Sequence, residues 1–304
     1  MLWEAEMKNR DAFSSLHPLV SFLFFALVLL YSMFLLHPVS LMLSLIGAAA
    51  YLLYLNGKKS LRSGLGFLLP MAGMAALLNP AFNHEGMTIL CYLPSGNPLT
   101  LESILYGLAA AVMLAAVLLW FSCYTAVMTS DKFVYLFGRL IPALSLVLSM
   151  TLRFVPKFRA QFHVVSDAQK CIGRSVSDGT VFQRVRNAVT IFSILLTWAL
   201  ENAVETADSM RSRGYGLSGR TAFSIYRLDE RDRAVLGWLA FCGLYLLSGW
   251  AAGALDFRYY PAVKGAEITP LAVSFHLVYA ALCMMPVIYN VTEDQKWKRL
   301  RSGV

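Results

Sequence analysis

Residues 12–57 read AFSSLHPLVSFLFFALVLLYSMFLLHPVSLMLSLIGAAAYLLYLNG, 46 residues without one Asp, Glu, Lys or Arg. A helix needs about 20 apolar residues to cross a hydrocarbon core of about 30 Å. This stretch is long enough for two crossings, and His37-Pro38 near its middle marks the turn between them. Four further uncharged windows follow, at 63–84, 103–130, 234–255 and 268–292. Together they predict six transmembrane helices, near 16–36, 39–55, 63–81, 104–128, 235–255 and 269–289. The third is the weakest, because Gly64, Gly66, Gly73 and Pro70 interrupt it. The whole chain of 304 residues agrees, with 58% hydrophobic and 14% charged residues, against about 25% charged in soluble domains. Such a composition excludes a disordered chain, which needs low hydrophobicity and high charge.

The charge is unevenly placed. With six spans and both termini cytoplasmic, 24 of the 26 basic residues lie inside and only Arg258 and Lys264 lie outside, as the positive-inside rule requires. The net charge of +8 therefore reports topology in a multi-pass plasma-membrane protein, and no nucleic-acid partner is needed to explain it. The organisation is an N-terminal membrane region over 1–130, a charged block over 131–233, and a C-terminal membrane hairpin over 234–304. The block holds 15 basic and 9 acidic residues, with apolar stretches at 140–152 and 187–200 that are too short to span comfortably. It reads as long amphipathic helices at the cytoplasmic face of an otherwise all-α membrane protein. Pro142 suits a helix start, and Pro156 is expected to kink or break the first long helix. In the second, Leu195, Leu196, Ala199, Leu200, Ala203 and Val204 recur at helical spacing opposite Glu201, Glu205 and Asp208.

Few residues offer chemistry. The five scattered cysteines form no C-x-x-C and no disulfide framework. The N-terminus, with Glu4, Glu6 and Asp11, does not read as a cleavable signal. Gly214-Tyr215-Gly216-Leu217-Ser218-Gly219 satisfies G-x-G-x-x-G, but it follows a helical pattern where a dinucleotide site requires a strand. Gly214 reads instead as a helix C-cap. Gly57-Lys58-Lys59-Ser60 lacks the upstream glycine of a phosphate-binding loop, because position 52 is Leu52. His84-Glu85 lacks the second histidine of a zinc-protease motif, and the five histidines show no metal-ligand spacing. No catalytic and no metal residue is assigned. The rows Gly107, Ala111, Ala115 and Gly47-Ala48-Ala49-Ala50 permit close helix packing, more naturally within the chain than against a partner.

Residues 144–156, LSLVLSMTLRFVP, lead through a polar helix to Asp167-Ala168-Gln169-Lys170, and residues 201–215 read ENAVETADSMRSRGY. This order resembles the transmembrane T component of energy-coupling factor (ECF) transporters, the family that includes the cobalt-transport permease subunit. Residues 79–88, NPAFNHEGMT, resemble its external loop. The resemblance covers roughly 10–290. Arg153, Pro156 and Gln169 on the first coupling helix, and Ser212-Arg213-Gly214 at the end of the second, are its most specific parts.

The resemblance implies a non-catalytic coupling scaffold in an importer of a vitamin or transition-metal ion. Two ABC-type ATPase subunits, which use ATP and Mg, would dock at Arg-centred motifs ending the two coupling helices. A small membrane substrate-binding (S) subunit would be the other partner within the lipid bilayer, and the chain itself would bind no cofactor. Arg213 matches the second motif. The first is expected as Ala-Arg-Gly, but here Cys171-Ile172-Gly173 stands, with Arg174 as a candidate replacement for the missing arginine. Two alternatives remain open. One is a polytopic membrane enzyme using Glu201, Glu205 and His163 at the cytoplasmic face. The other is a stand-alone carrier, although the spans hold almost none of the ionisable residues that ion coupling needs.

Overall fold

The computed structural model describes residues 11–92, 98–138, 142–177, 179–215, 217, 226–265 and 269–302. Among them are eight helices and two small antiparallel hairpins. The chain divides into two compact units, one built from Met1–Thr129 with Tyr226–Val304 and the other from Ser130–Ile225. The two regions that flank the charged block therefore share one unit.

That first unit begins with α1, Pro18–Phe34, and α2, Pro38–Phe82. The same local device starts both helices: a histidine caps the end and a proline follows it. The Nδ1 of His17 accepts the Leu19 N–H at 3.2 Å, and the Nδ1 of His37 accepts the Val39 N–H at 3.3 Å. Each satisfies one of the donors that a helix start leaves free, and proline at the first position has no such donor to lose. The turn expected at His37-Pro38 is thus present.

The expected break between the second and third spans is smaller than the sequence predicts. α2 runs through both, and only Gly57 departs from helical backbone, at φ 70°, ψ −178°. That conformation is essentially restricted to glycine, so one residue redirects the chain. Gly64, Gly66, Gly73 and Pro70 do not interrupt the helix beyond it. Further along the same helix lies Ala76, and a Cβ added at Gly107 would come within 2.7 Å of its carbonyl oxygen. The backbone of α3, Leu101–Val127, thereby approaches α2 closely. Gly47 similarly lies against Cys283 of α8, Pro270–Ser302. Both small-residue sites are therefore used within the chain.

Phe24, Phe25 and Trp120 form an edge-to-face cluster in the core of this unit. The Trp120 indole Nε1–H donates to the Ser44 hydroxyl at 3.0 Å, which donates to Ser32 at 3.0 Å. Such pairing is required where no water reaches polar groups. Asp11 accepts from Tyr51 and Asn290, joining the N-terminal segment to α2 and α8. The remaining long helix, α7, Glu230–Ala251, begins where Asp232 accepts the backbone N–H groups of both Asp229 and His17.

Just beyond residues 79–88, β1, Ile89–Tyr92, pairs with β2, Pro98–Thr100. A second hairpin pairs β3, Phe257–Arg258, with β4, Lys264–Gly265. The Met87 N–H donates to the Pro261 carbonyl at 3.1 Å, tying the two loops together.

The second unit holds α4, Ser130–Gly138, α5, Pro142–Cys171, and α6, Val181–Ser212. α5 starts at Pro142 as expected but continues as one helix through Pro156, where a break was an equal expectation. The missing proline N–H costs the helix one bond, to the Leu152 carbonyl. α6 begins where the Gln183 side chain reaches back to the Thr180 N–H at 3.1 Å, half of a capping box. α5 and α6 run antiparallel. Asn187 donates to the Ser175 carbonyl at 2.9 Å near their connection, and Phe158 meets Trp198 edge-on at 5.4 Å further along.

Among the described residues, five helical segments are long and apolar enough to cross a membrane: Pro38–Leu55, α3, α6, α7 and Pro270–Leu300. α1 is apolar but shorter. The chain is an all-α, multi-pass membrane protein. The inclusion of α6 differs from the sequence expectation: the uncharged stretch is bounded by Arg186 and Glu201, but the helix runs for 32 residues and is apolar on average over a membrane-spanning length.

Candidate functional site

α5 and α6 end in the same way. At the end of α5 the Gly173 N–H donates to the Lys170 carbonyl at 3.0 Å, and the Arg174 N–H donates to the Gln169 carbonyl at 2.9 Å. At the end of α6 the Gly214 N–H donates to Arg211 at 3.1 Å, and the Tyr215 N–H donates to Met210 at 3.1 Å. Both glycines are left-handed, with φ +76° and +73°. These are two Schellman motifs, in which a left-handed residue folds the chain back and satisfies the last carbonyls. They are short tips, exposed at Ile172, Arg174, Arg213 and Tyr215.

Superposing the two motifs by their bonds pairs Gly173 with Gly214, Ile172 with Arg213, and Arg174 with Tyr215. Cys171 and Ser212 are the last helical residue of each. Ile172, and not Arg174, therefore stands where Arg213 stands. Ile172 is 62% exposed, an apolar side chain presented to the surroundings at the tip. Arg213 and Arg174 are both exposed. Lys170 and Arg211 occupy the last turns, where positive charge complements the negative end of the helix dipole.

The other predicted residues take varied places. The Ser212 hydroxyl donates to the Ser209 carbonyl at 2.9 Å, so it closes the helix locally. Gln169 lies one turn before its tip, and its buried side-chain oxygen has no hydrogen-bond partner. An unsatisfied buried acceptor costs about 1–3 kcal/mol. Arg153 and Pro156 are exposed in the middle of α5, and Arg153 precedes Ile172 by about 28 Å of helix. Gly214 is the helix terminator expected of it. Gly216, Ser218 and Gly219 of the apparent dinucleotide motif have no described side-chain environment or lie outside the described residues.

Glu201, Glu205 and His163 are exposed. The register set by Phe158 and Trp198 puts His163 opposite residue 193, about 12 Å along the axis from Glu201. The structure does not gather these three groups. Among the described residues no cluster of three His, Cys, Asp or Glu side chains is placed to hold a metal ion.

α6 also carries an exposed apolar stripe. Phe182, Val185, Val189, Phe192, Leu196, Leu200 and Val204 are each at least half exposed, and their spacing of three and four puts them on one face. The sequence reading found only the C-terminal half of it. The same spacing was available from residue 182 onward. The equivalence of Ile172 with Arg213 was harder to find, because it depends on where each helix stops.

Comparison with known proteins places these elements in context. A family model described as "Cobalt transport protein" (CbiQ) matches residues 11–223. Proteins named "Energy-coupling factor transporter transmembrane protein EcfT" are also similar. The one from Lacticaseibacillus paracasei is 34% identical over 110 residues, covering 36% of this chain and 40% of the relative. The one from Lactobacillus helveticus is 30% identical over 109 residues, covering 35% and 39%. "EcfT 1" from Listeria monocytogenes is 35% identical over 106 residues, covering 34% and 38%. The chain spans about two fifths of the length of the curated relatives it matches.

Proposed function

The chain belongs to the CbiQ family of cobalt transport proteins, and from that membership we propose that it is the transmembrane T component of an energy-coupling factor importer. It acts as a scaffold. Two ABC-type ATPase subunits dock on the tips of α5 and α6, hydrolyse ATP with Mg, and move the two helices. The helices pass that motion to a small membrane substrate-binding subunit carrying a vitamin or a transition-metal ion. The charged unit faces the cytoplasm, as do both termini, and this chain performs no catalysis and binds no cofactor.

The observation that carries the proposal is the pair of matched tips. One unit ends two long helices in the same glycine-terminated motif, which suits a scaffold that meets two similar partners. Arg213 supplies a permanent charge able to bind a carboxylate with two parallel hydrogen bonds. Ile172 supplies apolar contact at the corresponding place, with Arg174 two positions on. The stripe along α6 offers the substrate-binding subunit an apolar surface.

Co-purification with the ATPase pair tests this. Arg213→Ala combined with Arg174→Ala weakens recovery of the ATPases and reduces ATP-dependent uptake. Unchanged assembly and uptake in that variant overturn the docking assignment.

A further inference from the structure

We propose that Lys157 is a positioning residue that pins α5 to α6, so that the two helices respond as one lever. The proposal rests on the coupling role given above and adds to it the group that makes the lever stiff.

The Lys157 ammonium leaves α5 and meets α6 in two ways. It donates to the Asn202 side-chain oxygen at 2.7 Å and lies 5.3 Å from the centre of the Trp198 ring. It also lies 6.0 Å from the ring of Phe154, on its own helix. A cation within about 6 Å of an aromatic face is held by the ring quadrupole. The partners are themselves fixed. Asn202 donates through its amide nitrogen to the Trp198 carbonyl at 2.9 Å, leaving its oxygen turned to the lysine. Trp198 packs edge-on against Phe158, the residue after Lys157. One charge thus engages two side chains a turn apart on α6, beside the Phe158–Trp198 ring contact.

Position gives the pin its leverage. Lys157 precedes Ile172 by 15 residues and Trp198 precedes Arg213 by the same number, so each tip lies about 22 Å of helix from the pin. Because α5 and α6 are antiparallel, the two arms extend in opposite directions. The only other described polar contact across the pair is from Asn187 of α6 to the Ser175 carbonyl, in the connection. Without the pin the arms keep that connection and apolar contacts such as Phe158 with Trp198, and a push on the Arg213 tip turns α6 against α5 more readily.

The test uses the full chain assembled with the ATPases and the substrate-binding subunit in nanodiscs. Lys157→Met keeps the stem and removes the charge, whereas Lys157→Arg keeps a cation and a donor. Nitroxide labels at Asp167 and Asp208, with Cys91 and Cys171 replaced by Ser, report the distance between the helices. Lys157→Met is expected to widen the distance distribution at least twofold. It lowers substrate taken up per ATP hydrolysed about tenfold, while ATPase recovery and hydrolysis stay within twofold. Lys157→Arg restores both readouts. A Lys157→Met variant with the wild-type distribution and ratio overturns the pin, and so does equal impairment by Met and Arg. If the wild-type chain recovers no ATPase, the coupling role fails, and the distance distribution of the chain alone still decides whether Lys157 holds the helices together.

Discussion

Replacing Gly173 or Gly214 by alanine tests whether the tips of α5 and α6 are preformed. Both residues adopt left-handed backbone, at φ +76° and +73°, which costs an L-residue about 1–2 kcal/mol. The reduced freedom of alanine in the unfolded chain returns about 0.4–1 kcal/mol. The surroundings differ. A Cβ at Gly173 meets nothing within 4 Å, whereas one at Gly214 comes to 3.1 Å from the Leu217 side chain, which must move by a few tenths of an ångström. Gly173→Ala therefore destabilises its tip by about 1 kcal/mol and Gly214→Ala by about 1–2 kcal/mol. In populations these are factors of about 5 and about 5–30. Amide hydrogen exchange reads the effect at the two N–H groups that close the motifs. Exchange accelerates about fivefold at Arg174 in the first variant and about 5- to 30-fold at Tyr215 in the second. Affinity for the ATPase pair falls by no more than the same factors, because docking needs the closed tip. Asparagine, which tolerates left-handed backbone, restores most of the loss. Wild-type exchange at both amides in the alanine variants refutes the claim that glycine holds these tips.

Ile172 occupies the place of Arg213, so Ile172→Arg is expected to keep or strengthen ATPase recovery, and Ile172→Asp to weaken it. Loss of binding in the arginine variant would show that Ile172 packs on an apolar ATPase surface. Gly107→Val drives a side chain into the Ala76 carbonyl and is expected to destabilise the first unit by about 1–3 kcal/mol, read as a lower midpoint of thermal unfolding in detergent. Burial lowers the pKa of His37, which lies between two spans, with a further contribution from His276. Below the ordinary histidine value of about 6.5 the unfolded chain takes up this proton before the folded one. The stability His37 contributes is therefore complete above about pH 6.5 and is lost as pH falls through its lower folded value. A scan of unfolding midpoint against pH shows this decline, and His37→Gln makes it shallower.

Much of the membrane architecture was legible because charge-free windows are a solvent requirement. Five of the six predicted spans coincide with separate helices or with the first half of α2. The boundary between the second and third spans falls where the sequence puts it, at Gly57 between residues 55 and 63, but its shortness was not legible, because nothing in the sequence says that one residue suffices. Pro156 misleads in the opposite sense: a long helix tolerates the loss of one hydrogen bond. The β1–β2 pairing was hidden because its strands are only four and three residues long and lie in a stretch rich in turn residues. At the tips, Gly214 as a terminator followed from the residue itself. The place of Ile172 depended on the carbonyls to which Gly173 and Arg174 bond, and so on the last turn of α5.

The most direct measurement places a photo-crosslinking residue at position 172 or 213 in the full chain, co-expressed with an ABC-type ATPase pair. The coupling role predicts one covalent adduct with an ATPase subunit at each position, and release of both by Arg213→Ala together with Ile172→Asp in binding assays. A chain that forms no ATPase adduct at either tip, yet takes up substrate alone in liposomes without ATP, contradicts it.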